Sequence, residues 1–151
     1  MATIRTRFDY IFNPKYPNEG GGLPMISLNA VEGNFELFGA TVTCLPVKHG
    51  SAEVFGFRIG SFAYVTDVKT IPDSTMEKIM GVKTVVLGAV QRKPHSTHLG
   101  LYEAIDVIKK IGAQKGYITH MNHDLMRSEI EPTLPEGISL AYDGLVLNIE
   151  N

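Results

Sequence analysis

The stretch Val82-Lys83-Thr84-Val85-Val86-Leu87-Gly88-Ala89 decides the fold class. Four consecutive apolar or β-branched residues, 84–87, without polar alternation read as a strand buried in a sheet. Ten residues on, Leu99 to Ile111 carries Leu101, Ile105, Ile108 and Ile111 at three- and four-residue steps, the stripe of a helix with one face on a core. Gly112 is a suitable stop for it. A second buried strand, 116–119, follows. Strand, helix and strand within forty residues predict an α/β unit.

Working upstream, Met25–Ala30, Asn34–Phe38 and Thr41–Val47 read as short strands, and Val54–Ile59 and Phe62–Thr66 as a hairpin turning at Gly60-Ser61. Asp73 or Ser74 is placed to cap a short helix with Glu77 in its first turn. Ile4–Phe12 predicts a short amphipathic helix, and the loop 13–24 with Gly20-Gly21-Gly22 lacks the Lys-Ser/Thr of a phosphate-binding loop. Downstream, Ile138–Ala141 and Leu145–Ile149 predict a last strand pair around Asp143-Gly144. The expected result is one domain over 1–151, with a mixed or antiparallel sheet.

Composition narrows the function. A net charge of −2 with interspersed signs and no Lys/Arg run disfavours a nucleic-acid partner. Cys44 is the only cysteine, which excludes an internal disulfide; it lies in an apolar run and reads as a buried, inert thiol. No apolar run reaches the roughly 20 residues of a membrane helix, and the N-terminus does not read as a signal peptide. A reducing cytoplasm and no membrane association are expected.

The five histidines carry the chemistry. His49 closes an apolar strand, and Asp67 follows Tyr64-Val65-Thr66 in the same way. His95 and His98 lie in the loop after the strand 82–89, and His120 and His123, with Asp124, in the loop after the strand 116–119. One such histidine signifies little, because loop histidines are commonly just satisfied polar groups. Several at strand ends can meet at one point, and imidazoles with a carboxylate are the usual ligands of zinc and similar ions.

The motifs Pro46-Val47-Lys48-His49-Gly50, Ala63-Tyr64-Val65-Thr66-Asp67, Pro94-His95-Ser96-Thr97-His98, Thr119-His120-Met121-Asn122-His123-Asp124 and Ala141-Tyr142-Asp143-Gly144 resemble the metallo-β-lactamase fold in its phosphodiesterase branch. Phe8–Phe12 and the loop 20–24 resemble segments upstream of these motifs. The resemblance implies the C-terminal half of an αββα sandwich, a mixed β-sheet with outer helices. It implies His49, Asp67 and His120 as metal ligands, Asp67 bridging two ions of zinc or manganese. It also implies His98 as the catalytic histidine at the scissile phosphate, with His95, His123 and Asp124 orienting ligands or closing the site.

Two departures accompany the resemblance. Gly88 stands where an acidic residue is expected, and no two histidines are separated by a single residue, so the family's His-x-His-x-Asp-His signature is absent. That signature lies N-terminal to these motifs in the family. The expectation is therefore a partial domain with weak or partial metal occupancy and little activity by itself. It would act on a small phosphodiester, such as a cyclic phosphate, when complete. A homodimer or a separate N-terminal half is the expected partner. A non-catalytic binding module and an RNA-processing nuclease-like protein are the alternative readings.

Overall fold

The computed structural model describes residues 1–15, 22–31 and 33–149. The chain divides into two units, 1–32 and 33–151. The first holds two short helices, α1 (Ala2–Arg7) and α2 (Asp9–Phe12), neither with a buried residue. The single helix expected over 4–12 is thus broken at Phe8, whose φ of −117° and ψ of 40° leave the helical region. The Arg5 guanidinium stacks on the Phe12 ring at 5.0 Å. Met25–Ala30 forms no strand: no segment among the described residues pairs with it, and Met25 is fully exposed. Gly20 and Gly21 lie outside the described residues.

The second unit is built on a seven-stranded sheet whose spatial order follows the chain: β1 (Phe35–Leu37), β2 (Ala40–His49), β3 (Ala52–Ile59), β4 (Phe62–Val65), β5 (Thr84–Gly88), β6 (Lys115–Thr119) and β7 (Ile138–Leu140). The first four pair antiparallel and β4 to β7 parallel, so the sheet is mixed. Tight turns suffice for the antiparallel half. Each parallel step needs a crossover, and α3 (Asp73–Ile79), α4 (Leu101–Ile111) and the short α5 (Arg127–Ile130) lie in those connections.

The core is one-sided. Leu45, Val47, Ala63, Val65, Val85, Leu87, Ile118 and Leu140 alternate along their strands and form one buried cluster with Met76 and Ile79 of α3 and Leu101, Ala104, Ile105, Ile108 and Ile111 of α4. Gly116 lets α4 sit this close, since a Cβ there would come within 2.6 Å of Ile108 Cγ2. Burying a side chain of this size is worth about 1.5–3 kcal/mol, so this cluster holds α3 and α4 on the sheet. The other face carries Cys44, Phe57, Tyr64, Val86 and Tyr117, cross-strand neighbours in one row. Cys44 and Val86 are buried there, and burial pushes the Cys44 thiol up.

The unbroken apolar run 84–87 suggested cover on both faces, and β5 is buried on both: Val85 and Leu87, with Ile118, belong to the helix-covered side, and Val86 is buried on the other. The opposite face is represented by Val86 and its aromatic neighbours. Three further expectations are corrected. Neither Asp73 nor Ser74 caps α3 through its side chain: Pro72 occupies the N-cap and its carbonyl accepts the Thr75 and Met76 N–H groups. Helix α4 starts at Leu101 because the Leu99 N–H is spent on Val68 O and its carbonyl on the Val90 N–H. Leu145–Ile149 is not a strand; the Leu145 N–H closes a turn onto Tyr142 O.

Candidate metal centre

Strand direction assembles the site. Because β2 runs antiparallel to β3 and β3 antiparallel to β4, strand β2 points the same way as β4, β5, β6 and β7. All five therefore deliver their carboxyl ends to one edge of the sheet, the place where open α/β sheets present ligand-binding loops. His49 is the last residue of β2, Asp67 lies two past β4, His95 and His98 follow β5, and His120 is the first residue past β6.

The loops at this edge are tied together by main chain. Lys48 N donates to Thr70 O at 2.9 Å, Leu99 N to Val68 O at 2.8 Å, and Asn122 N to Val90 O at 2.8 Å. Asp67 and His120 both hold positive φ, 51° and 62°. For residues other than glycine this left-handed backbone costs roughly 1–2 kcal/mol. Besides Phe38 they are the only such residues among those described. Gly88 sits between them: a Cβ there would come 3.3 Å from Thr66 Cα, 3.4 Å from Asp67 N and 3.6 Å from His120 Cβ. Its lack of a side chain lets Asp67 and His120 close over the end of β5.

The side chains converge. Asp67 Oδ1 lies 3.3 Å from His98 Nε2 and 3.2 Å from His120 Nε2, and those two nitrogens are 3.2 Å apart. His49, Asp67 and His98 each offer a ligand atom within 4.8 Å of the others. The His98 ring is central: its centroid is 4.4 Å from that of His49, 5.0 Å from His95 and 5.0 Å from His120. His49 Nδ1 bonds Thr97 O at 2.8 Å, which makes Nδ1 the donor and leaves Nε2 with a free lone pair.

Electrostatics separate the roles. Burial pushes the Asp67 carboxyl up. The His98 hydrogen bond, the charge of His120, the Thr66 hydroxyl and the charge of His49 together outweigh it, and Asp67 titrates below its ordinary value. Burial is also the largest influence on His98. The charges of His49, His120 and His95 act in the same direction, the Asp67 bond opposes them, and His98 titrates below the usual histidine value. At neutral pH the site therefore offers a carboxylate beside a neutral imidazole.

The donor set fits a divalent ion. Neighbouring corners of a tetrahedral zinc site with bonds of about 2.0 Å are roughly 3.3 Å apart, which matches the 3.2 Å between Asp67 Oδ1 and His120 Nε2. Neutral imidazole and carboxylate are also the protonation states that such binding requires.

The remaining predicted residues divide. His95 reaches the cluster, with Nδ1 3.2 Å from His98 Nδ1. The His123 side chain is 94% exposed, and its one ion-pair contact among the described residues is Asp124, at 3.4 Å. It lines a separate cavity of about 520 Å³ with Asp124, Arg92 and Lys93. Sequence reasoning overlooked Thr97, whose carbonyl holds His49 and whose hydroxyl lies 2.9 Å from His98 Nδ1. Its place between His95 and His98 was the available signal.

Comparison with known proteins agrees with this geometry. A family model described as a beta-lactamase superfamily domain matches residues 1–121. A solved structure titled as a new diphosphatase from the PhnP family superposes with a TM-score of 0.83 at 38% identity, covering 99% of this chain and 55% of that one. Human tRNase Z, short form, shares the fold with a TM-score of 0.59 at 18% identity, over 78% of this chain and 46% of its own. An octanoyltransferase of Porphyromonas gingivalis is 32% identical over 96% of this chain, but the match spans only 30% of that protein. The chain thus spans about half, or less, of the proteins it resembles. With the family model covering most of its length and the histidines gathered at the sheet edge, the chain belongs to the beta-lactamase superfamily.

Proposed function

We propose that this edge is the metal-binding and phosphoryl-binding part of a phosphodiester hydrolase, with His49, Asp67 and His120 as metal ligands and His98 at the phosphoryl group. The observation that carries the reading is the convergence of His98 Nε2 and His120 Nε2 on one Asp67 oxygen, at 3.3 and 3.2 Å. The 38% identical relative titled a diphosphatase supports hydrolysis of a phosphorus–oxygen link.

Zinc or manganese bound here would supply Lewis-acid polarisation of the phosphoryl group and acidify water. The chain's own residues do the rest. His49 is held in one tautomer by Thr97 O, so its Nε2 is fixed as an electron-pair donor. The Thr97 hydroxyl, 2.9 Å from His98 Nδ1, donates there and keeps the proton of a neutral His98 on Nε2. That Nε2–H points toward Asp67 and can be given to the leaving oxygen of a small phosphodiester.

The test is a zinc titration of chelator-stripped protein, followed by an assay on bis-p-nitrophenyl phosphate. Binding is expected to be weak and to disappear in Asp67→Ala. Hydrolysis is expected only when a fragment bearing the His-x-His-x-Asp-His signature is added. Two zinc ions held per chain through dialysis against chelator would overturn the three-ligand assignment. Hydrolysis surviving in Asp67→Ala would overturn the mechanism.

A further inference from the structure

Strand β7 runs parallel to β6, with Gly116 opposite Ile138 and Ile118 opposite Leu140, so the chain leaves β7 at the edge that carries His120. The Ala141 N–H is fixed on Ile118 O at 2.8 Å. Between the two exits lies a cavity of about 330 Å³ lined by Thr119, His120, Met121, Ala141, Tyr142 and Asp143. That is near the lower end of small-ligand sites, about 300–1,000 Å³, and suits one ring system.

The lining selects a ligand. Tyr142 is 50% exposed. Its ring is held by the Arg127 guanidinium 4.3 Å from the centroid. Tyr142 lines the cavity and Arg127 does not, so the guanidinium packs on the ring without being part of the cavity wall. A braced aromatic ring beside the Met121 thioether is a stacking platform formed at small entropic cost. Asp143 has no hydrogen-bond or ion-pair partner among the described residues. As a carboxylate it only accepts hydrogen bonds and repels anions.

We propose that this cavity binds a planar, uncharged ring bearing N–H or O–H donors, the chemistry of a nucleobase, stacked on Tyr142 with its donors on Asp143. The proposal rests on the phosphodiester reading in one respect: with the ring against His120, the attached ester would lie over Asp67 and His98.

The experiment uses the full chain, ¹⁵N-labelled, with adenosine, ribose and inorganic phosphate as separate probes. Adenosine should shift the amides of 119–121 and 141–143 saturably, and ribose should leave them in place. Tyr142→Leu should weaken adenosine roughly tenfold, as loss of a stacking partner does, while Tyr142→Phe keeps most of the affinity. Asp143→Asn should weaken it as well. Arg127→Leu leaves Tyr142 intact and should still weaken binding, which guards against local unfolding in the Tyr142 variant. Unmoved amides, or an affinity indifferent to both Tyr142→Leu and Arg127→Leu, would overturn the proposal. If zinc and phosphate fail to perturb His98 and His120 while adenosine still binds through Tyr142, the ring site stands and the phosphodiester reading falls.

Discussion

Asp67 Oδ1 lies 3.2 Å from His120 Nε2, and both residues hold the left-handed backbone, at φ 51° and 62°. At an ordinary position glycine is less favourable than alanine by roughly 0.5–1 kcal/mol. Here the order should reverse. Asp67→Gly and His120→Gly are each expected to be about 1 kcal/mol more stable than the corresponding alanine variants, because only glycine adopts this backbone without strain. Urea denaturation of the four proteins measures it. Alanine variants at least as stable as their glycine counterparts would show that the site stores no backbone strain.

A second prediction concerns Glu103, which anchors the start of α4. Its carboxylate accepts the Gly100 N–H at 2.8 Å and Lys69 Nζ at 2.8 Å. Burial pushes the group up, but the Gly100 bond and Lys69 outweigh it, and Glu103 titrates below its ordinary value. A carboxyl depressed in the folded state stabilises above its unfolded pKa, and that contribution is lost as pH falls through the folded value. Glu103→Gln should therefore cost roughly 0.5–1 kcal/mol at pH 7. The gap should close as the solution is made acidic enough to protonate Glu103 in the folded protein. A gap equally wide at pH 7 and pH 2 would locate the effect elsewhere.

Gly100 itself is irreplaceable for a different reason. A Cβ there would come 2.6 Å from Lys93 O and 3.0 Å from Lys93 C, both main-chain atoms that cannot rotate aside. Gly100→Ala should cost about 1–3 kcal/mol, the usual range for overpacking. It should also displace the loop carrying His95, Thr97 and His98, so zinc affinity should fall with stability. Full zinc affinity at reduced stability would show that the loop's position does not depend on this contact.

These residues show what the sequence could and could not convey. Period and apolar content revealed β5, α4 and β6, because a buried strand and a one-faced helix impose opposite spacings on their apolar residues. Strand ends bearing His49, Asp67 and His120 could be read in the same way, since each follows an apolar run directly, whereas His98 lies further on, in the loop after β5. What spacing does not carry is direction. That β2 and β4 to β7 share one carboxyl edge depends on long-range pairing, and so does the separation of His123 from the cluster its neighbour His120 joins. Exposed Met25–Ala30 failed as a strand for the same reason, because an apolar run needs a partner edge as well as a pattern.

The last prediction comes from the sheet face opposite α3 and α4. Phe57 and Tyr64 are directly paired across β3 and β4, 38% and 44% exposed, and Phe35 meets Phe57 edge to face at 6.4 Å. Phe55, on the same side of β3 two residues away, is 45% exposed. Adjacent exposed aromatic rings on a sheet make a contiguous apolar patch, and such patches on soluble proteins mark interaction surfaces or self-association. In a solution of the purified chain, the available cover is a second copy, and a symmetric pair brings each patch against its own kind. Light scattering should therefore show a mass that rises with concentration, and a hydrophobic dye should fluoresce on dilute protein. Phe57→Lys combined with Tyr64→Lys places like charges across the two-fold axis and should abolish both signals, while leaving the α3–α4 core on the opposite face intact. A monodisperse monomer that ignores the dye would mean the aromatic row is covered from within the chain, and the expected homodimer would be wrong.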